Sequence, residues 1–351
     1  MYNNRIARLR ERLEYPLLIS FLPNIRYLTG FTGSNAYVFV SADRFVFVTD
    51  GRYAELGGRL LEGIEGSDLV VYRSGLEDVL VEQLTGHARV GLESQHISWA
   101  FVHGVKAKVD SVLESTKGIV EGLREIKDEG EVESLTAAAA AGDAAFSSVR
   151  QSAAVAECEA DLGWALINAM REAGAGQAGW PPIVAAGPNA ALPHHLSGRG
   201  PVGAGLLLLD YGCVVDGYNS DMSRTVWLEG DADPELRRMH EAVRESQEAG
   251  IEAIAPGITG HDVDEACRVV LRNYGYEELF AHSTGHGVGL EIHEGPRLAP
   301  KSEDVLTPGN VVTVEPGVYV PGFGGIRIED MVLVTESGHQ VLTNSGKGLH
   351  A

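Results

Sequence analysis

Cysteine is scarce in this chain: three residues in 351, Cys158, Cys213 and Cys267, lie far apart with no CxxC spacing. That excludes a disulfide framework and a thiolate metal site, and it fits a reducing, cytoplasmic setting. Basic residues are also few. The 28 Lys and Arg face 49 Asp and Glu, a formal net charge of −21. Nucleic acid is therefore excluded as a partner, because a phosphate backbone is held by clustered cations. No apolar run is long or clean enough to cross a bilayer, so no membrane partner is expected. The opening stretch MYNNRIARLRERLEYPLLISFLP has only a short apolar part, which ends in proline without a small-residue cleavage site. A signal peptide is not expected from it.

What is present is an ordinary apolar content of 44% over a chain long enough for two domains with substantial cores. Residues 1–122 read as a small α/β domain. LRERL opens a helix, and YPLLISFL, AYVFVSADRFVFVTDG and DLVVYR read as strands, with β-branched and aromatic residues between turn residues. YVFV and RFVFV, joined by SAD, form a predicted hairpin. Composition shifts near Leu123, where LREIKDEGE reads as the linker into a second domain, 123–351. That domain alternates helices (the alanine-rich run after the linker, PELRRMHEAVRESQEAGIEAI, HDVDEACRVVLRNYG) with strands (AGLLLLDYG, SDMSRTVWL, NVVTVEPGVYV, GIRIEDMVLV).

The residues that carry chemistry are acids at strand ends. Asp210 closes an apolar strand, GCVVDGYNS supplies a turn, and Asp221 opens the return strand. An antiparallel hairpin would set the two carboxylates side by side, with Asp221, Ser223 and Thr225 on one face. A strand-ending Asp is also an ordinary turn former. The arrangement repeats, however: Glu315 ends VVTV, PGVYVPGFGG turns, and Glu329 sits on the return strand with Arg327 on its face. An exposed Arg–Glu face would contribute little, but the surrounding Val and Ile argue for burial. Buried carboxylates need a cation or a proton. Two divalent cations balance four carboxylates, whereas one leaves about two charges uncompensated.

His286, in STGHGVGLEIHEG, would add a neutral imidazole to this set. Ligands this hard favour Mn²⁺, with Co²⁺ and Zn²⁺ as alternatives. GHGVGL has the spacing of a phosphate-binding glycine loop, but the following LEIHEGPRLAP has an early proline and no helical period, which excludes that reading. The glycines instead let backbone approach a crowded site. His293, seven residues on, falls outside the metal shell, where it can donate to substrate.

The ordered set Asp210, Asp221, His286, Glu315 and Glu329, within DYG, SDMSRT, HGVGLEIHE, TVEPGVY and GIRIED, resembles the pita-bread metallopeptidases. The likeness is strongest to aminopeptidase P and prolidase, and weaker to methionine aminopeptidase and creatinase. ALPHH matches the stretch that supplies a further catalytic histidine, with His194 aligning best. YLTGFTGSNAYVFV and TDGRY look like the N-terminal domain of short bacterial aminopeptidases P. The resemblance implies an α+β fold, a small α/β domain followed by a pita-bread domain with a curved antiparallel sheet and covering helices. It implies two divalent ions, Asp210 and Asp221 on one, His286 and Glu315 on the other, with Asp221 and Glu329 shared. Glu315 would shuttle a proton, and His194 and His293 would stabilise the oxyanion and orient the substrate.

Around the substrate, the resemblance and the local motifs lead us to expect Tyr319 as a wall, Arg327 orienting Glu329 or its neighbours, and Arg52 of TDGRY as a clamp for a carboxylate. The implied activity is removal of an N-terminal residue from peptides with proline second, in a homodimer. The N-terminal motifs tilt this toward aminopeptidase P over the dipeptide-cleaving prolidase. A non-catalytic peptide-binding relative would have lost ligands, and all five positions are filled.

Overall fold

The period of two in AYVFV and FVFVTD builds the first sheet: Ala36–Val40 pairs antiparallel with Phe45–Asp50, from Ala36 opposite Thr49 to Val40 opposite Phe45. In the computed structural model, which describes residues 1–150 and 153–350, this hairpin belongs to a unit ending at Arg124; a second unit begins at Glu125. The first unit holds a six-stranded mixed sheet in the order Ser67–Tyr72, Phe45–Asp50, Ala36–Val40, Leu17–Ile19, Arg89–Glu93, Val112–Thr116. The last two strands were not expected from sequence. Val112–Thr116 is a half-polar, largely uncovered edge, so it carries no clean alternation.

In the second unit the strand Gly205–Tyr211 is buried on both sides. Leu207, Leu209 and Tyr211 face a core made with the helices Glu129–Arg150 and Glu159–Glu172. Leu206 and Leu208 face another, made with the helix Pro234–Glu252. The alanine run is explained by this packing: Ala138, Ala141 and Ala145 are buried in the first of these cores, where small side chains let the helix approach closely. The helix Gly260–Tyr274 starts at a capping box, Thr259 accepting from Asp262 N–H while Asp262 accepts from Thr259 N–H.

Gly205–Tyr211 lies between Ile183–Ala186 and Met222–Leu228 in a three-stranded antiparallel sheet. A five-stranded sheet follows the order Glu294–Leu298, Gly285–Gly287, Val311–Val314, Asp330–Thr335, Gly338–Val341. Two predicted turns are more than turns. GCVVDGYNS contains the short strands Cys213–Val215 and Tyr218–Asn219, joined at Asp216 (φ 48°) and Gly217 (φ 84°), the two left-handed residues of a tight hairpin. PGVYVPGFGG contributes Gly317–Val320, which pairs with Gly324–Arg327 as a separate two-stranded ribbon.

Candidate metal centre

Register delivers the first acids. Ser223 lies opposite Asp210 across the antiparallel pair. Period two then puts Asp221, Ser223 and Thr225 on the face that Asp210 occupies, away from the core lined by Met222 and Val226. The second pair arrives differently. Glu315 directly follows Val311–Val314, on the side of Thr313. Glu329 sits at the break between Gly324–Arg327 and Asp330–Thr335, where Val314 opposes Asp330. Ser223 links the two halves: its hydroxyl donates to Glu329 Oε2 and accepts from Arg327 Nε, both at 2.8 Å.

His286 enters from the strand Gly285–Gly287, whose tightness depends on glycine. A Cβ on Gly285 would lie 1.9 Å from the Thr313 carbonyl oxygen, and one on Gly287 would lie 2.0 Å from that of Gly295. The His286 Nδ1 donates to the Gly287 carbonyl at 3.0 Å, leaving the Nε2 lone pair facing the acids. Nε2 stands 3.6 Å from Asp221 Oδ2 and 3.5 Å from Glu315 Oε1. Ligand atoms of Asp221, His286 and Glu329 all lie within 4.8 Å of one another.

The electrostatics of this cluster call for a cation. Burial, reinforced by Glu329, Asp210 and Glu315, drives the Asp221 carboxyl far above its ordinary range. Burial and then Glu329 raise Glu315; burial and then Asp210 push Glu329 up to about 8. Burial lowers His286 to about 4, so the imidazole is neutral. Carboxyls forced toward protonation around a neutral lone pair are the donor set of a divalent ion, which would relieve their repulsion. Asp210 has its own cation, Arg327, whose Nη2 bonds to Oδ2.

Arg327 is 3% exposed, with its donors committed. Besides Asp210 and Ser223 they reach the Tyr319 hydroxyl at 2.9 Å and the Pro193 carbonyl at 3.3 Å. Tyr319 is committed too. His282 Nδ1 donates to Ser283 O, so His282 Nε2 accepts from the Tyr319 hydroxyl at 2.8 Å. His282 had no role in the sequence reading; its only signal is its place four residues ahead of His286 in AHSTGHG. His293 sits at the rim, its ring 4.3 Å from that of His286. His194 is exposed and lies near enough to His282 and His293 to disfavour their protonation. Arg52 belongs to the other unit, where it is exposed and forks onto Asp50 at 2.8 and 3.0 Å.

The Metallopeptidase family M24 pattern matches residues 133–336, and the Creatinase/Prolidase N-terminal domain pattern matches residues 5–126. The chain belongs to metallopeptidase family M24: it is a peptide hydrolase of pita-bread fold, from a family that works with divalent metal. Among curated proteins it is similar to an uncharacterised peptidase of Bacillus subtilis, 36% identical over 95% of this chain and 94% of that one. Among solved structures it is similar to an Xaa-Pro dipeptidase from Bacillus anthracis (TM-score 0.95, 35% identity, 100% and 99% covered). It is also similar to an X-Pro aminopeptidase from Thermotoga maritima (TM-score 0.89, 30% identity, 99% of both chains).

Proposed function

We propose that the protein is an exopeptidase that cleaves the bond between an N-terminal residue and a following proline. The observation that carries this reading is the buried cluster in which neutral His286 faces Asp221 and Glu315 within 3.6 Å, with His293 at its rim. Asp210, Asp221, His286, Glu315 and Glu329 would hold two divalent ions, Mn²⁺ first by ligand hardness, with Co²⁺ or Zn²⁺ as alternatives. When bound, such ions supply Lewis acidity that polarises a carbonyl and acidifies a water.

The chain's own residues do the rest. Glu315, with a raised proton affinity, takes a proton from the attacking water and passes it to the leaving nitrogen. That nitrogen belongs to proline, whose tertiary amide has no N–H; like any amide nitrogen it leaves as an amine only once it is protonated. His293 and His194 donate to the carbonyl oxygen as negative charge develops there. Arg327, locked by Ser223 and Tyr319, holds Asp210 in place. Arg52 is assigned to the substrate carboxylate, and the working form is a homodimer in the cytoplasm.

Of the two substrate lengths, the dipeptide is favoured by the name of the Bacillus anthracis relative, and the longer peptide by the YLTGFTGSNAYVFV and TDGRY resemblance. Hydrolysis of Ala-Pro, Ala-Pro-Ala and Ala-Ala-Ala by Mn²⁺-loaded protein tests both. Cleavage of either proline peptide with Ala-Ala-Ala intact supports the reading, and the faster of the two names the form. Equal cleavage of all three, or of none, overturns it.

A further inference from the structure

The side chain of Glu159 is 1% exposed and lies in the first turn of the helix Glu159–Glu172. Its two oxygens accept four hydrogen bonds, all from residues 186–198. Oε1 takes Ala186 N–H at 3.0 Å and Asn189 Nδ2 at 2.8 Å. Oε2 takes His195 Nε2 at 2.8 Å and Gly198 N–H at 3.3 Å. Burial pushes this carboxyl up, and the donors outweigh burial and hold it below its ordinary range. It is an anion, so His195 Nε2 is the donor. The main chain adds to the bracket, with Glu159 N–H on Gly200 O and Ala160 N–H on Gly198 O.

Ala186, Ala190 and Ala191 of this segment are buried, but the stretch around His194 is open. Leu192 is 57% and Leu196 90% exposed, and His194 between them is exposed as well. His194 is pinned on both sides in sequence. The Pro193 carbonyl accepts from Arg327, the guanidinium on Asp210, and His195 is tied to Glu159. An exposed imidazole left free would sample several rotamers and backbone positions, and placing it would cost entropy at each turnover.

We propose that Glu159, acting through His195, is a positioning residue for His194, fixing where that imidazole meets the substrate. This rests on the reading of His194 as a substrate-facing group. The test uses the Mn²⁺-loaded full chain and four variants: His194→Ala, His195→Leu, His195→Gln, and His194→Ala with His195→Leu. kcat and KM on Ala-Pro or Ala-Pro-Ala, bound Mn²⁺ per chain and Tm are read for each.

His195→Leu should lower kcat about tenfold or more, as a misplaced catalytic group does. KM should stay within about twofold, since the loss falls on the transition state, and bound Mn²⁺ should be unchanged. In His195→Gln the amide nitrogen reaches about as far as Nε2 and can donate to Glu159, so most of kcat should return. On the His194→Ala background, His195→Leu should cost nothing further, because the group it positions is gone. Multiplicative losses in the double variant, or a Gln variant no better than Leu, overturn the inference alone. Full kcat in His194→Ala overturns the substrate-facing role of His194 and the inference together.

Discussion

Ser223 is one oxygen shared between the Arg327 guanidinium and the Glu329 carboxyl. With Ser223→Ala, Arg327 Nε and Glu329 Oε2 both lose a 2.8 Å partner. Removing a group that orients a ligand costs roughly 10–100-fold in metal affinity; calorimetric Mn²⁺ titration should show that loss with the fold intact. Glu329 also sets a pH dependence. Its folded pKa, raised to about 8 by burial and Asp210, exceeds its unfolded value, so the metal-free native state binds more protons than the unfolded one. The associated stability is fully present below the unfolded pKa near 4.3 and is lost as pH rises through about 8. Denaturant titrations of stripped protein between those values should therefore weaken with pH, and Glu329→Gln should flatten the slope. At this scale the sequence was legible where residue type and local pattern suffice: the acids were readable from their places at strand ends and on return strands, and His286 from the glycines that flank it. Their partners were not. Ser223 meets Glu329 across 106 positions, and His282 lies in AHST, which has no period to mark a face.

One of the strands that present the cluster owes its close packing to glycine. Gly285 lets the strand carrying His286 lie against Val311–Val314, where a Cβ would meet the Thr313 carbonyl at 1.9 Å. Gly285→Ala must push that strand outward and His286 with it. Overpacking of this kind costs about 1–3 kcal/mol, to be read from the shift in denaturant midpoint, and metal binding should fall in step. Strands with clean alternation, such as Ala36–Val40 and Phe45–Asp50, were visible in the sequence because one rule decides both faces. Of the ribbon, Gly317–Val320 lies in a stretch read both as a strand end and as a turn, and Gly324–Arg327 opens the expected return strand; what was not read is that the two pair with each other. Its two prolines and run of glycines look like loop chemistry, and its pairing partner is itself, with no periodic face to betray it.

Across the second unit, Asp330 joins distant parts of the chain in a charged network that is almost dry. It is 0% exposed and Arg224 1%, and they meet at 2.6 Å, with Lys347 at 2.5 Å on the other oxygen. Asp330→Asn would leave two cations without their shared anion, and breaking a buried pair in this way costs about 3–5 kcal/mol. Equilibrium urea unfolding should register it, with Glu329 and its neighbours loosened because Arg224 also holds the Glu329 carbonyl. No local pattern announces such a network; the charge reading of the sequence counted these residues only as part of a net −21. Arg224 further binds the Ser345 carbonyl at 2.8 Å, a separation of 121 positions. That link bears on synthesis. Contacts so distant in sequence form late, after many shorter loops have closed. A growing polypeptide that has delivered Asp210, His286 and even Glu329 still lacks the backing that Ser345 and Lys347 supply. Truncated translation products that stop before Ser345 should therefore emerge without a finished centre and, once purified, bind Mn²⁺ more weakly than the full chain, so that competence waits on a chain extended past that point.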